Sequence, residues 1–168
     1  IVIATHEPTF NTSDLQFGYK KGLSTAACTF VANEVIQHYL NSDNDVHVML
    51  LDANKAFDCV NYITLFKELL SKGLCPLLTR LLLSIHVYQT VRVKWNNHTS
   101  LPFTVSNGVK QGGIVSPILF SIYADKLLAS LKISGIGCHI GHVFAGALAY
   151  ADDIVILAST KSALSHML

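Results

Sequence analysis

Apolar and polar positions along this chain follow two periods, and the period changes wherever glycine, proline or clustered polar residues intervene. Cys28, Val31, Val35 and Ile36 recur at helical spacing and predict a helix over residues 25–40, with Ser24 placed as its N-cap. A polar turn over residues 41–45 ends it. Residues 46–51 are short and nearly all apolar and close on Asp52, the pattern of a buried strand that ends in a polar group. Residues 62–72 are amphipathic through Phe66, Leu69 and Leu70, and Gly73 supplies the stop. Pro76 suits the first turn of a further helix to about residue 86. Residues 90–95 alternate, Asn96-Asn97 reads as a turn and residues 101–105 return, which predicts a hairpin. Asn107-Gly108 and Gly112-Gly113 then bracket a loop, and Pro117 opens a helix over residues 118–131. Two apolar strands, residues 143–149 and 154–158, are separated by Tyr150-Ala151-Asp152-Asp153. Residues 1–15 show no clear period, and no repeat or linker divides the 168 residues, so one domain or a piece of one is expected.

Composition narrows the function classes. Hydrophobic residues make up 51% and charged residues 14%, which excludes a disordered tail or a low-complexity linker. Twelve Lys and Arg against eleven Asp and Glu leave +1, so no whole-chain field holds a polyanion. Contact with nucleic acid must come from local cations such as Lys20, Lys21, Lys55, Arg92, Lys94 and Lys110. Cysteines at 28, 59, 75 and 138 lack C-x-x-C spacing and read as free thiols of a reducing, intracellular compartment. Cys138, His139 and His142 offer three ligands at most, and packing or surface roles are the better reading. No apolar run reaches the roughly 18 residues of a membrane span. A start at Ile1 without Met, and an end within a helical Ser/Lys stretch, read as an excised segment.

The candidate chemistry lies in carboxylates. Asp152 and Asp153 are flanked on both sides by apolar stretches and are expected to be drawn inward, where two like charges raise one another's pKa unless a cation compensates. The plain alternative is a solvent-exposed hairpin tip, but a tight turn favours Asn-Gly or Asp-Gly, and this segment has no glycine. Asp52 alone would read as the cap of a short turn; beside a second acidic strand end it reads as a hard oxygen ligand, with Ala53 able to add a backbone carbonyl. Carboxylates from two strand ends suit a pair of Mg²⁺ ions about 3.5–4 Å apart, which serve an in-line phosphoryl displacement.

The segments Leu51-Asp52-Ala53-Asn54-Lys55-Ala56-Phe57-Asp58, Asn107 through Pro117 with Gln111-Gly112-Gly113 at their centre, and Tyr150-Ala151-Asp152-Asp153 together resemble reverse transcriptases of non-LTR, LINE-type retrotransposons. Gln16-Phe17-Gly18-Tyr19-Lys20-Lys21-Gly22-Leu23-Ser24-Thr25 resembles the fingers motif of the same family. The resemblance implies an α+β fold: a palm whose small, mainly antiparallel sheet is backed by helices, over about residues 46–168, with part of the fingers over about 1–45 and the thumb absent. It implies RNA-templated DNA synthesis from a DNA primer and deoxynucleoside triphosphates, two Mg²⁺ ions (or Mn²⁺) at Asp52, Asp152 and Asp153 with the Ala53 carbonyl, and a nuclear setting without membrane contact. Phe57 would crowd the sugar 2′ position, Gln111-Gly112 would lie against nucleotide and template, Lys20 would meet the triphosphate, and Tyr150 would pack beneath the primer end. Asp58 is expected to be a helix-capping or structural acid. The other readings are a non-catalytic relic or repurposed RNA-binding palm, and an intron-type maturase or RNA-templated RNA polymerase. The segment alone is expected to have little activity. Oligomeric state stays open.

Overall fold

The computed structural model describes residues 10–168, in which the elements run α1 (Thr25–Leu40), β1 (His47–Leu51), α2 (Tyr62–Ser71), α3 (Pro76–Val87), β2 (Thr90–Val91), β3 (Lys94–Trp95), β4 (His98–Thr99), β5 (Phe103–Thr104), α4 (Ser116–Ser134), β6 (His139–Ile140), β7 (Val143–Phe144), β8 (Ala147–Tyr150), β9 (Asp153–Ala158) and α5 (Lys161–His166). Most of the aperiodic start, residues 1–9, lies outside the described residues. Two units emerge, one from Thr12–Asn54 with Phe120–Leu168 and the other containing Lys55–Leu119.

Local signals set the helix ends. The Ser24 side chain accepts from Ala27 N at the start of α1, a cap worth about 1 kcal/mol. Asn61 does the same for α2 through Thr64 N. Gly73, at φ +86°, ends α2 with its amide on Leu70 O while Leu74 N reaches Leu69 O. Pro76 opens α3. α4 runs beyond the apolar pattern at both ends, since the polar Ser116, Lys132 and Ser134 continue a helix without interrupting its buried stripe.

In the first unit an antiparallel sheet has the order β1-β9-β8. The register pairs His47 with Ala158 and Leu51 with Ile154 on one side of β9, and Ala147 with Ile156 and Tyr150 with Asp153 on the other. Residues 15–17 lie parallel to β8: Phe17 N donates to Ala149 O (2.7 Å) and Ala149 N donates to Leu15 O (2.8 Å). α1 packs on β8, and α5 packs on β9 and β1. The core they enclose includes Val35, Leu128, Ala147, Ala149, Ile156 and Leu157.

Two expectations change here. β1 is an edge strand whose sides alternate, so Val48 and Leu50 are exposed rather than buried. The apolar run 143–149 breaks into β7 and β8 because the backbones of Gly146 and Gly137 touch; a Cβ on Gly146 would come within 2.9 Å of Gly137 Cα.

In the second unit α2 packs on α3, with Leu65, Phe66 and Leu69 buried and His86 edge-on to Tyr62 and Phe66, ring centroids 5.7 and 5.9 Å away. Leu70, expected on the inner face, is exposed. The predicted hairpin forms as two short ladders, β2 with β5 and β3 with β4. Their registers differ by one residue, an offset that falls at Leu101-Pro102, where proline has no N–H to offer a ladder. Among the described residues no helix is long and apolar enough to cross a membrane.

Candidate functional site

The sheet places the acids before any side chain is considered. β1 ends at Leu51 opposite Ile154, so the next residues, Asp52 and Asp153, leave the same end of adjacent strands. Tyr150 pairs with Asp153 across the other side of β9, which leaves only Ala151 and Asp152 to turn the chain. Antiparallel pairing thus brings residues about a hundred positions apart in sequence to one sheet end, together with the Ala53 carbonyl one residue further on.

This is the two-residue hairpin tip that the sequence argued against. The turn forms without glycine because Ala151 itself takes φ +60°, a left-handed conformation that costs an L-residue about 1–2 kcal/mol. The expected inward placement of the acid pair is also corrected: Asp153 is exposed, Asp152 half-buried and Asp52 exposed. Flanking apolar residues fill the core from the strands, whereas the acids sit where those strands run out into solvent.

The donor set suits a hard divalent cation, since all of its atoms are carboxylate or carbonyl oxygens. Among the described residues, no three His, Cys, Asp or Glu side chains are gathered as a ready metal cluster. What converges is the strand ends; the exposed carboxylates do not form a closed cage by themselves.

Around the acid hairpin stand Tyr19, Gln16 and Gly18, to which sequence reasoning gave no individual role. Tyr19, also at positive φ (59°), has its phenol pushed above the ordinary tyrosine value by burial, then by the Asp152 carboxylate and then by Tyr150. Gln16 is fully buried and bonds Ala151 on both sides: Oε1 accepts from Ala151 N (3.0 Å) and Nε2 donates to Ala151 O (3.2 Å). Gly18 packs so closely that a Cβ there would overlap Ala151 N. The signal in the sequence was a lone amide between Leu15 and Phe17, two residues before Gly18. Tyr150 is partly buried against the core. Lys20 donates to Thr12 O (3.0 Å) and Ser13 O (2.6 Å), so its ammonium braces the preceding loop. Asp125, buried in α4, accepts from Ser13 N at 2.8 Å.

Phe57, Gln111 and Gly112 belong to the second unit. There, Val109 N donates to Phe57 O (2.8 Å) and Gly108 N to Val60 O (2.9 Å), which zips the two loops together. Gly108 is required by both its φ of +89° and its contact with Asp58, whose Cα a Cβ would approach to 2.8 Å. Phe57 is partly buried; Gln111 and Gly112 are exposed. Asp58 is not the α2 cap, a place taken by Asn61; its Oδ1 accepts from Gln111 Nε2 at 3.5 Å. Asp58, Gln89, Lys110 and Gln111 help line a cavity of about 300 Å³.

Cys138 and His139 keep the packing roles expected of them. Burial pushes the Cys138 thiol up, opposed by a hydrogen bond with Tyr39, and His139 N donates to Tyr39 Oη (2.9 Å).

Comparison with known proteins identifies the family and the fold. The family model described as reverse transcriptase (RNA-dependent DNA polymerase) matches residues 2–168. The chain is 32% identical over 147 residues to a retrovirus-related Pol polyprotein from the type-1 retrotransposable element R2 of Popillia japonica, covering 82% of this chain and 20% of that protein. It is 29% identical over 138 residues to the Pol polyprotein from the type-2 retrotransposable element R2DM of Drosophila melanogaster, covering 82% of this chain and 13% of that one. The chain therefore spans a fifth or less of these two curated relatives. In fold it is similar to apo telomerase from Candida tropicalis truncated from its C-terminal domain, with a TM-score of 0.68, 15% identity, and coverage of 98% of this chain and 35% of that one. Telomerase from the same organism in complex with a fragment of telomeric RNA gives a TM-score of 0.58 at 16% identity, covering 98% of this chain and 28% of that one.

Proposed function

The chain belongs to the reverse transcriptase family, the RNA-dependent DNA polymerases, and from that premise we propose that it is the metal-binding core of a retrotransposon polymerase that extends a DNA primer on an RNA template. The observation that carries the proposal is the register that sends Asp52 and Asp153 off one sheet end beside the turn that bears Asp152. Its resemblance to R2 polyproteins favours the non-LTR class.

Asp52, Asp152 and Asp153, with the Ala53 carbonyl, would hold two Mg²⁺ ions, or Mn²⁺ in their stead. The chemistry that such ions would supply there is charge stabilisation of the attacking 3′-oxygen and of the departing pyrophosphate oxygen in an in-line displacement. The protein's part is positioning and electrostatics. Exposed carboxylates on a rigid sheet end can rotate onto an ion while their backbones stay fixed by the ladder. Phe57 would reject a sugar 2′-hydroxyl, and the Gln111-Gly112 backbone would support nucleotide and template. Lys20 would reach a triphosphate only by leaving the Thr12 and Ser13 carbonyls that it now bonds. Tyr150 would back the primer end. Residues 46–168 act in this reading as palm and residues 1–45 as part of the fingers, in a polymerase that works in the nucleus.

The test is primer extension by the polymerase chain that contains this segment. Asp152→Asn is expected to reduce extension to background, with unfolding stability within about 0.5 kcal/mol of the parent because the side chain is half-exposed. Phe57→Ala should let ribonucleotides compete with deoxynucleotides. Retained extension by Asp152→Asn overturns the assignment, and no extension by the parent favours an RNA-binding scaffold.

A further inference from the structure

We infer that Gln16 is a positioning residue of the acid hairpin: its amide holds the left-handed turn at Ala151 and thereby fixes the backbone of Asp152 and Asp153. The inference rests on the metal-binding reading above and adds to it a residue to which that reading gives no part. Gln16 is fully buried. Its Oε1 accepts from Gly18 N (2.9 Å) and from Ala151 N (3.0 Å), and its Nε2 donates to Ala151 O (3.2 Å). One side chain from near the start of the chain therefore satisfies both the N–H and the C=O of the residue that carries the strain of the turn.

The chemistry selects glutamine. A carboxylate has no hydrogen for the Ala151 carbonyl, and an ammonium has no lone pair for the two amides. Asparagine has the groups but is one methylene too short to keep all three bonds from the same backbone position. Two amides converging on Oε1 also fix which way the side-chain amide faces. Ala151 is buried and sits at φ +60°, so without the clamp its backbone groups would be left unsatisfied in a conformation that an L-residue seldom holds. Nothing within the two-residue turn supplies the missing support, since it contains no glycine.

The clamp is itself braced. Gln16 pairs with Ala149 through the Phe17 and Leu15 backbone bonds. Upstream, Ser13 is held by Asp125 through its N–H and by Lys20 through its C=O. Gly18 lets the segment approach Ala151 where a Cβ would overlap the backbone. The Gln16-Phe17-Gly18 stretch thus acts as a support for the acids, in the way that partners behind metal ligands keep them oriented.

The test measures Mn²⁺ affinity of the 168-residue chain by electron paramagnetic resonance of the free ion, with melting temperature measured alongside. Gln16→Ala should weaken Mn²⁺ binding about ten-fold or more. Val35→Ala, a cavity at a fully buried α1 position of the same unit, should lower the melting temperature while keeping the parent's affinity. Adding Ala151→Gly to Gln16→Ala should restore most of the lost affinity, since glycine holds the left-handed turn unaided. Gln16→Asn, a milder change, is read in the same way if Gln16→Ala does not fold. A folded Gln16 variant that binds Mn²⁺ like the parent, a loss equalled by Val35→Ala, or no recovery with Ala151→Gly overturns the positioning role. A parent that does not bind Mn²⁺, or binds it equally well after Asp152→Asn, instead rejects the metal-binding reading, and the inference with it.

Discussion

Two hairpin turns of two residues each, Ala151–Asp152 and Asn96–Asn97, solve the same backbone problem with different means. Both place a non-glycine residue at positive φ, Ala151 at 60° and Asn96 at 52°. Asparagine tolerates that region through its short polar side chain, and the Asn96–Asn97 turn stands exposed, flanked by ladders of two pairs each. Alanine has no such tolerance, and its turn is held from outside by Gln16 and by the close approach of Gly18. The difference shows where a conformational cost is tolerated: a surface turn minimises strain by residue choice, whereas the turn beside the acids keeps its strain and fixes it with tertiary bonds.

Substitutions at the two turns can break this contrast. The largest effect is expected from Gly18→Ala, whose Cβ meets the Ala151 backbone; chemical denaturation should show a loss of about 2–3 kcal/mol. A loss near zero would mean that the segment does not hold the turn. Ala151→Gly should come next, with opposite sign: relief of the left-handed cost outweighs one lost methyl contact and leaves a gain of about 0.5–1 kcal/mol. Smallest is Asn96→Gly, expected within about 0.3 kcal/mol of the parent in the same assay. Equal gains at the two positions would remove the distinction between a strained turn and a tolerant one.

Much of the fold is legible in residue order because its signals are local. Ser24, Gly73 and Pro76 each act on a neighbouring turn, and the helix ends they mark are the observed ones. Leu50 and Leu70 mislead because their exposure depends on which faces other elements cover, which is not a local property. Gly146 looks like part of a strand until Gly137 is brought against it. At the site, Asp52, Asp152 and Asp153 could be picked out as acids in apolar surroundings, and the ladder does bring their backbones to one end. Their exposure could not be read in this way, since hydropathy describes the strand and not where it stops. The part of Gln16 was hidden for a related reason: its partner lies 135 residues away, and only pairing along β8 brings the two together.

In the proposed function, one sheet end collects the oxygen ligands of the metal ions from distant parts of the chain. The most direct test is Mn²⁺ titration of the isotopically labelled chain, followed by paramagnetic broadening of its backbone amide signals. Signals of Asp52, Ala53, Asp152 and Asp153 should broaden first and together, and Asp152→Asn should abolish the effect. Broadening centred elsewhere, for instance on the acidic turn at Asp43 and Asp45, or broadening at Asp152 and Asp153 without Asp52, would contradict it.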